Sequence, residues 1–352
     1  MMPEFTLEPL TEYPQREKVI SLARQHAEEV DQDSYSPYET LCAIAKDGLV
    51  TLGREGSILQ QTAVAFDLAT ECTSTAFSLW AHRSTTAFFD AVGKELPQGL
   101  ATAETTGATA MAAAFKDASG VGEIQVHATH VDGGLELNGV ISWASNLYPG
   151  GVVVLPIIVD GSNASQPSKY IVHTTVDAPG FYVKYQKGLL ALDATESGFI
   201  KLENVFVPEE DIMSTDVPGF LKKITAPFLL LQSSFCLGLG VASLQSASEH
   251  LNVAHGIFKE EFAQINTEYP RLRTELTELA ENPASAERHR LLQLRLDAAH
   301  FATSATRIEL ATIGGKAYKA RCASARRLRE SQFLPVQSPT EGHLRYELSK
   351  AQ

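Results

Sequence analysis

Residues 131–146 read VDGGLELNGVISWASN, and this stretch decides the fold. Its apolar residues nearly alternate with polar ones, as in a strand with one buried face, and Asp132, Gly133 and Gly134 give a turn signal ahead of it. The tail is less ordinary: Trp143 stands between Ser142 and Ser145, and Asn146 closes the run. An indole there either closes a β core while its polar neighbours make a turn, or offers a rigid apolar wall to a bound flat ring.

Working outward, the character of the chain changes twice. From about residue 15 to 118 apolar residues recur at helical spacing, with Val19, Ile20, Ala23, Ala27 and Val30 on one face. Between about 121 and 208 come short runs rich in Val and Ile, among them GEIQVHATHV, GVVVLPIIVD, KYIVHTTV and GFIKLENVFV. The signals VDGG, LNG and DAPG separate them. After Pro218 the helical period returns and holds to roughly residue 330, with one break predicted at ENPAS, 281–285. The expected class is α+β, with an N-terminal helical domain at 1–118, a middle β domain (barrel or sandwich) at 119–213 and a C-terminal helical domain at 214–352.

Bulk properties narrow the function. A chain of 352 residues with 44% hydrophobic and 20% charged residues buries a sizeable core. A net charge of -13 argues against nucleic acid or an anionic membrane surface as the main partner, since both need clustered cations. The apolar run at 228–244 is broken by polar residues and reads as a buried helix. Cys42, Cys72, Cys236 and Cys322 have no metal-ligand or CxxC spacing, and no leader-like segment opens the sequence, so a reduced, cytoplasmic setting is expected.

The helix, strand, helix order and the stretch at 131–146 together resemble the acyl-CoA dehydrogenase superfamily of flavoproteins, over about 15–345. GLLALDATESGFIKLENVFVPEEDIM (188–213), TIGGKAY (312–318) and RRLRES (326–331) are similar to further segments of that family. The resemblance implies a C-terminal four-helix bundle, FAD as cofactor, an acyl-CoA or similarly activated CH–CH substrate, and a homodimer or homotetramer paired through the C-terminal helices. It implies that Trp143 flanks the flavin ring, that Ser145 hydrogen-bonds its polar edge, and that Thr109 in TAETTGATA lies near the flavin ring or phosphate. Gly314 and Gly315, read as a mid-helix pair, imply an adenosine or subunit contact, although close helix packing explains a glycine pair equally well.

The sequence departs from the family where the chemistry lies. Removing an α-proton as hydride leaves needs a positioned base. Where many members carry Glu-Gly-Thr, this chain reads Ser338, Pro339, Thr340. The alternative site in the first long helix after the β domain is also empty, since no Asp or Glu occurs between Asp216 and Glu249. Glu341 is the remaining candidate base, and His82 and His343 are candidates by analogy with flavin monooxygenases of the superfamily, which use histidine. The FAD clamp is thinned as well: His255 and Ile257 stand where the family has Arg and Gln, and Ala311 replaces another Gln. A neutral imidazole does not substitute for a bidentate guanidinium. Three expectations follow: a flavin oxidoreductase, a reduced-flavin-dependent monooxygenase, or a non-catalytic subunit of a mixed oligomer.

Overall fold

The computed structural model describes residues 9–160, 167–251 and 254–350. Four helices open the chain: α1 (Arg16–Asp31), α2 (Pro37–Ala45), α3 (Leu59–Glu71) and α4 (Thr73–Val92). The face predicted for α1 is the one buried, Val19, Ile20, Ala23, Ala27 and Val30. Helix α2 starts where Ser36 accepts from the Tyr38 amide and Pro37 takes the first helical position, where its missing N–H costs nothing. A short strand β1 (Gly107–Thr109) and helix α5 (Ala112–Ser119) follow. That strand falls inside the block read as helical, because a three-residue strand carries too little period to register.

The middle segment holds β2 (Val126–Val131), β3 (Gly134–Ala144), β4 (Val152–Val159), β5 (Ser168–Thr175), β6 (Phe181–Tyr185), β7 (Gly198–Pro208) and β8 (Ile212–Ser214). They form a mixed sheet in the order β6-β7-β3-β2-β4-β5-β8, with β1 pairing in parallel to β4. Asp132 and Gly133 turn the β2–β3 hairpin, as the sequence predicted. Asn138-Gly139 does not end a strand, contrary to expectation. Strand β3 runs through it with a bulge, and at φ 145° a Cβ on Gly139 would meet the Gln125 carbonyl at 2.3 Å, so only glycine fits.

The C-terminal segment contains α6 (Val217–Ser248), α7 (Lys259–Glu281), α8 (Arg288–Ile313), α9 (Ala323–Ser331) and α10 (Glu341–Lys350). Asp216 caps α6 by accepting from the Gly219 amide at 3.0 Å. This helix is long and apolar enough to cross a membrane, yet it is buried almost throughout against α3, α4 and α8. The break at 281–285 is present, and a second one that the periodicity did not reveal separates α6 from α7. Gly314 and Gly315 are not mid-helix: α8 ends at Ile313, and Gly314 caps it at φ 72°.

Packing ties the outer blocks together. The β strands enclose one apolar core around Leu135, Leu155, Val172, Ile200 and Val207. The helices before and after the sheet share another, in which α3 and α4 lie on α6. The order expected from the sequence, helical, β, then helical, is the one observed.

The last helix is held by charge. Glu347 of α10 accepts from Arg288 at 2.6 Å, from Ser119 at 2.7 Å and pairs with His343 at 2.9 Å. Burial works to raise its pKa, but the bonds from His343, Arg288 and Ser119 outweigh it and hold the carboxyl at about 2. A depressed carboxyl pKa contributes stability that is full above the unfolded value and fades as pH falls through the folded one. The contribution, at most about 3 kcal/mol, is therefore expected to disappear between about pH 4.5 and pH 2. Melting curves across that range should show a steeper acid loss for the natural chain than for Glu347→Gln, and equal slopes would refute the assignment.

Candidate functional site

Between Ile141 and Ala144 the β3–β7 pairing is irregular, and Trp143, which lies in that stretch, is 40% exposed. Asn146 takes a left-handed conformation at φ 63° and fixes the exit: its side-chain amide donates to the carbonyls of Ser78 (2.8 Å) and Gly107 (3.3 Å). The strand end is thereby tied to α4 and β1. Between them Ser145 projects into a chain of hydroxyls, 2.6 Å from Ser197, which is 2.9 Å from Thr195, whose hydroxyl donates to the Leu192 carbonyl at 2.8 Å. Each hydroxyl has one hydrogen. With Thr195 donating to Leu192, every link is satisfied only if Ser197 donates to Thr195 and Ser145 to Ser197, so Ser145 offers a lone pair to the space beside it.

That space is a cavity of about 520 Å³. Trp143 and Ser145 line it from the sheet, Thr109, Ala112 and Lys116 from β1 and α5, and Phe77, Trp80 and Ala81 from α4. Phe77 stacks on Trp80 at 5.0 Å and meets Phe333 edge-on at 5.2 Å, so the inner walls are rigid aromatics. The last wall is the turn after α9, with Gln337, Ser338 and Thr340.

A cation buried behind that turn holds it. Arg295 of α8 is fully buried, and no carboxylate pairs with it among the described residues. It donates to Gln232 (2.9 Å), to the Leu334 carbonyl (3.0 Å) and to the Gln337 side-chain oxygen (3.1 Å), while Gln232 donates to the Ser338 carbonyl at 2.9 Å. Neutral acceptors thus take Nε and Nη2 of the guanidinium, while Nη1 has no partner among the described residues. Gln337 Nε2 and Ser338 Oγ are left as buried polar atoms with no partner among the described residues, at this wall of the cavity.

The sequence candidates divide. Trp143 and Ser145 come together on one cavity with Thr109, more than thirty positions away in the chain. His82 does not line it. Its Nδ1 accepts from the Gly107 amide at 3.1 Å, and burial, with Arg83 beside it, lowers its pKa to about 4. The ring is a neutral tie between α4 and β1. Glu341 begins α10 outside the lining and pairs with Arg345 (2.6 Å) and His300 (3.2 Å). Burial would raise its pKa, but these two partners bring it below the ordinary range, the reverse of what a poised base needs. His343 is buried against Ser119 and Glu347. Gly314 and Gly315 lie at the end of α8 and do not line the cavity. Among the described residues no Asp, Glu, His or Cys lines this cavity, and none form a metal-binding cluster. Sequence reasoning missed Arg295, Gln232, Gln337 and Phe228. An arginine inside LLQLRLDAAH, on the apolar face of a helix, was the one available signal.

No protein-family model matches the chain, and no curated protein matches it in sequence. Solved structures do. A glutaryl-coenzyme A dehydrogenase in complex with glutaryl-CoA is 18% identical and aligns over 96% of this chain and 95% of its own, with TM-score 0.82. Butyryl-CoA dehydrogenase from Megasphaera elsdenii is 17% identical over 97% and 98%, with TM-score 0.83. A glutaryl-CoA dehydrogenase from Mycobacterium smegmatis in complex with FADH2 is 14% identical over 97% and 95%, with TM-score 0.81. At such identities the likeness establishes the fold: this chain has the fold of the acyl-CoA dehydrogenases.

Proposed function

We propose that this chain binds FAD and works as a flavin-dependent oxidoreductase on the CH–CH unit of an acyl thioester such as an acyl-CoA. The observation that carries the reading is the wall made by Trp143, Ser145 and Thr109 on one rim of an aromatic-lined cavity. The solved structures of the same fold that hold FADH2 and glutaryl-CoA support it.

The residues present suit a flavin ring. Trp143 supplies a flat apolar face, Ser145 an acceptor at the edge, and Lys116 a cation with no ion pair among the described residues. FAD, when bound, supplies the two-electron acceptor. Phe77, Trp80 and Phe333 exclude water from the acyl group, and Arg295 fixes the turn that lines the cavity with Gln337 and Ser338. Among the described residues no carboxylate or imidazole lines the cavity to take up an α-proton. A base must therefore come from Glu341 after its ion pairs open, or from a second chain. A homodimer or homotetramer remains our reading of the assembly, supported by Ile257 and Tyr318, each more than four-fifths exposed on the C-terminal segment.

The lining without carboxylate or imidazole favours a second reading, in which the chain uses reduced flavin and oxygen or serves as the non-catalytic half of a mixed oligomer. Absorption between 300 and 500 nm, after loading with FAD and dialysis, separates these. A retained flavin band that acyl-CoA bleaches without oxygen is expected, and Trp143→Ala should weaken FAD binding by about tenfold, the loss of about 1.5 kcal/mol of ring packing. A retained band that acyl-CoA leaves unchanged overturns the acyl-thioester substrate. A chain that never retains flavin overturns the first reading and moves the assignment to the second.

A further inference from the structure

A larger cleft, of about 1170 Å³, follows the same helices as the apolar cavity, α4, α5 and α6. Arg54, Arg83, Lys222, Lys223, Arg288 and Lys350 line it. Its acids, Asp90 and Glu347, already pair with Arg54 and Arg288. On a chain of net charge -13 this is a local reversal of sign.

The two spaces meet at a pair of rings. Phe228 lines the cavity and Phe115 lines the cleft, and their centroids are 5.1 Å apart, both side chains nearly inaccessible. Phe228 is further held by Trp80, whose ring meets it edge-on at 4.9 Å and whose Nε1 donates to the Phe228 carbonyl at 3.1 Å. Along α6 the neighbours Thr225, Ala226 and Pro227 face the cleft, so Phe228 is where that helix passes from one space to the other.

We propose that Phe228 sets the length of acyl group that the cavity takes, by closing its inner end against the basic cleft. The inference rests on the acyl-thioester reading above. A chain lying along the Trp143 wall gains contact with each methylene until it reaches the Phe228 ring. Going further means displacing that ring from both Trp80 and Phe115. Removing the ring extends the apolar cavity toward Phe115 at the edge of the basic cleft.

Both tryptophans of the sequence, Trp80 and Trp143, line the cavity, so intrinsic fluorescence reports its occupancy directly. The protein as purified would be titrated with N-acetylcysteamine thioesters carrying butanoyl, octanoyl or hexadecanoyl chains. Each methylene that fits should tighten binding by about fourfold, and in the natural chain the gain should stop before hexadecanoyl. In Phe228→Ala hexadecanoyl should bind about tenfold or more tighter than in the natural chain, the worth of two further buried methylenes, with butanoyl little changed. Phe228→Leu, which keeps most of the core volume, should shift the cut-off in the same direction by less, and stands in if the alanine variant does not fold. Short chains that bind with the same cut-off in natural and variant protein overturn the role of Phe228 alone. Failure of every thioester to quench the natural chain overturns the acyl reading together with it.

Discussion

Glu309→Ala is expected to lower the free energy of unfolding by about 3–5 kcal/mol, the usual cost of removing one partner of a buried ion pair. Glu309 of α8 is fully buried, and Arg327 of α9 pairs with it through two hydrogen bonds, one of them 3.0 Å from Nε to Oε2. Burial pushes the Arg327 pKa down, and its bonds to Glu309 reverse that and leave it raised. With the carboxylate gone, a guanidinium whose side chain is only 11% exposed keeps its desolvation cost without its bonded counter-charge. Urea denaturation measures the loss. A double variant, Glu309→Leu with Arg327→Met, should recover most of it, because well-packed apolar residues carry no such penalty. A single-variant cost below about 1 kcal/mol, the range of exposed pairs, would mean that the pair is solvated.

Gly238→Leu should cost about 3 kcal/mol, at the upper end for overpacking. A Cβ at this position of α6 would lie 2.2 Å from the Phe66 carbonyl of α3 and 3.0 Å from the Ala69 methyl. Both obstacles belong to a helix in the shared core, so neither can turn aside as a flexible side chain would. Helices α3 and α6 would have to separate, and with them the two blocks that enclose the apolar cavity. Denaturation together with tryptophan fluorescence checks this: a variant of natural stability with an unchanged emission maximum would show that the helices are not in close contact there.

Gly238 also marks a boundary in what could be read from residues. In the sequence it is a glycine in a helical run, a cost of about 1 kcal/mol against alanine with no visible return. Its purpose is the carbonyl of Phe66, far away in the chain. The Asn138-Gly139 pair was misjudged for a related reason: the turn signal is local, but the bulge that uses it is defined by the partner strand at Gln125 and Val126. The glycines at 314 and 315 looked internal because helical period continues on either side, and only hydrogen bonding placed the end of α8 at Ile313.

The sequence by itself determined the order of elements and the Trp143–Asn146 tail that ends on the cavity. These are written locally, since side-chain period follows from backbone geometry and a tryptophan two residues from a serine stays beside it in any fold. Only the tertiary structure decided what completes the site. Trp80 meets the Phe228 carbonyl across 148 positions, and Arg295 reaches Gln337 across 42. It also moved Glu341 and His82 off the cavity, though each lies close in sequence to a residue that lines it, Thr340 and Ala81. A residue's neighbours in space depend on how separate helices and strands pack, and no local pattern records that.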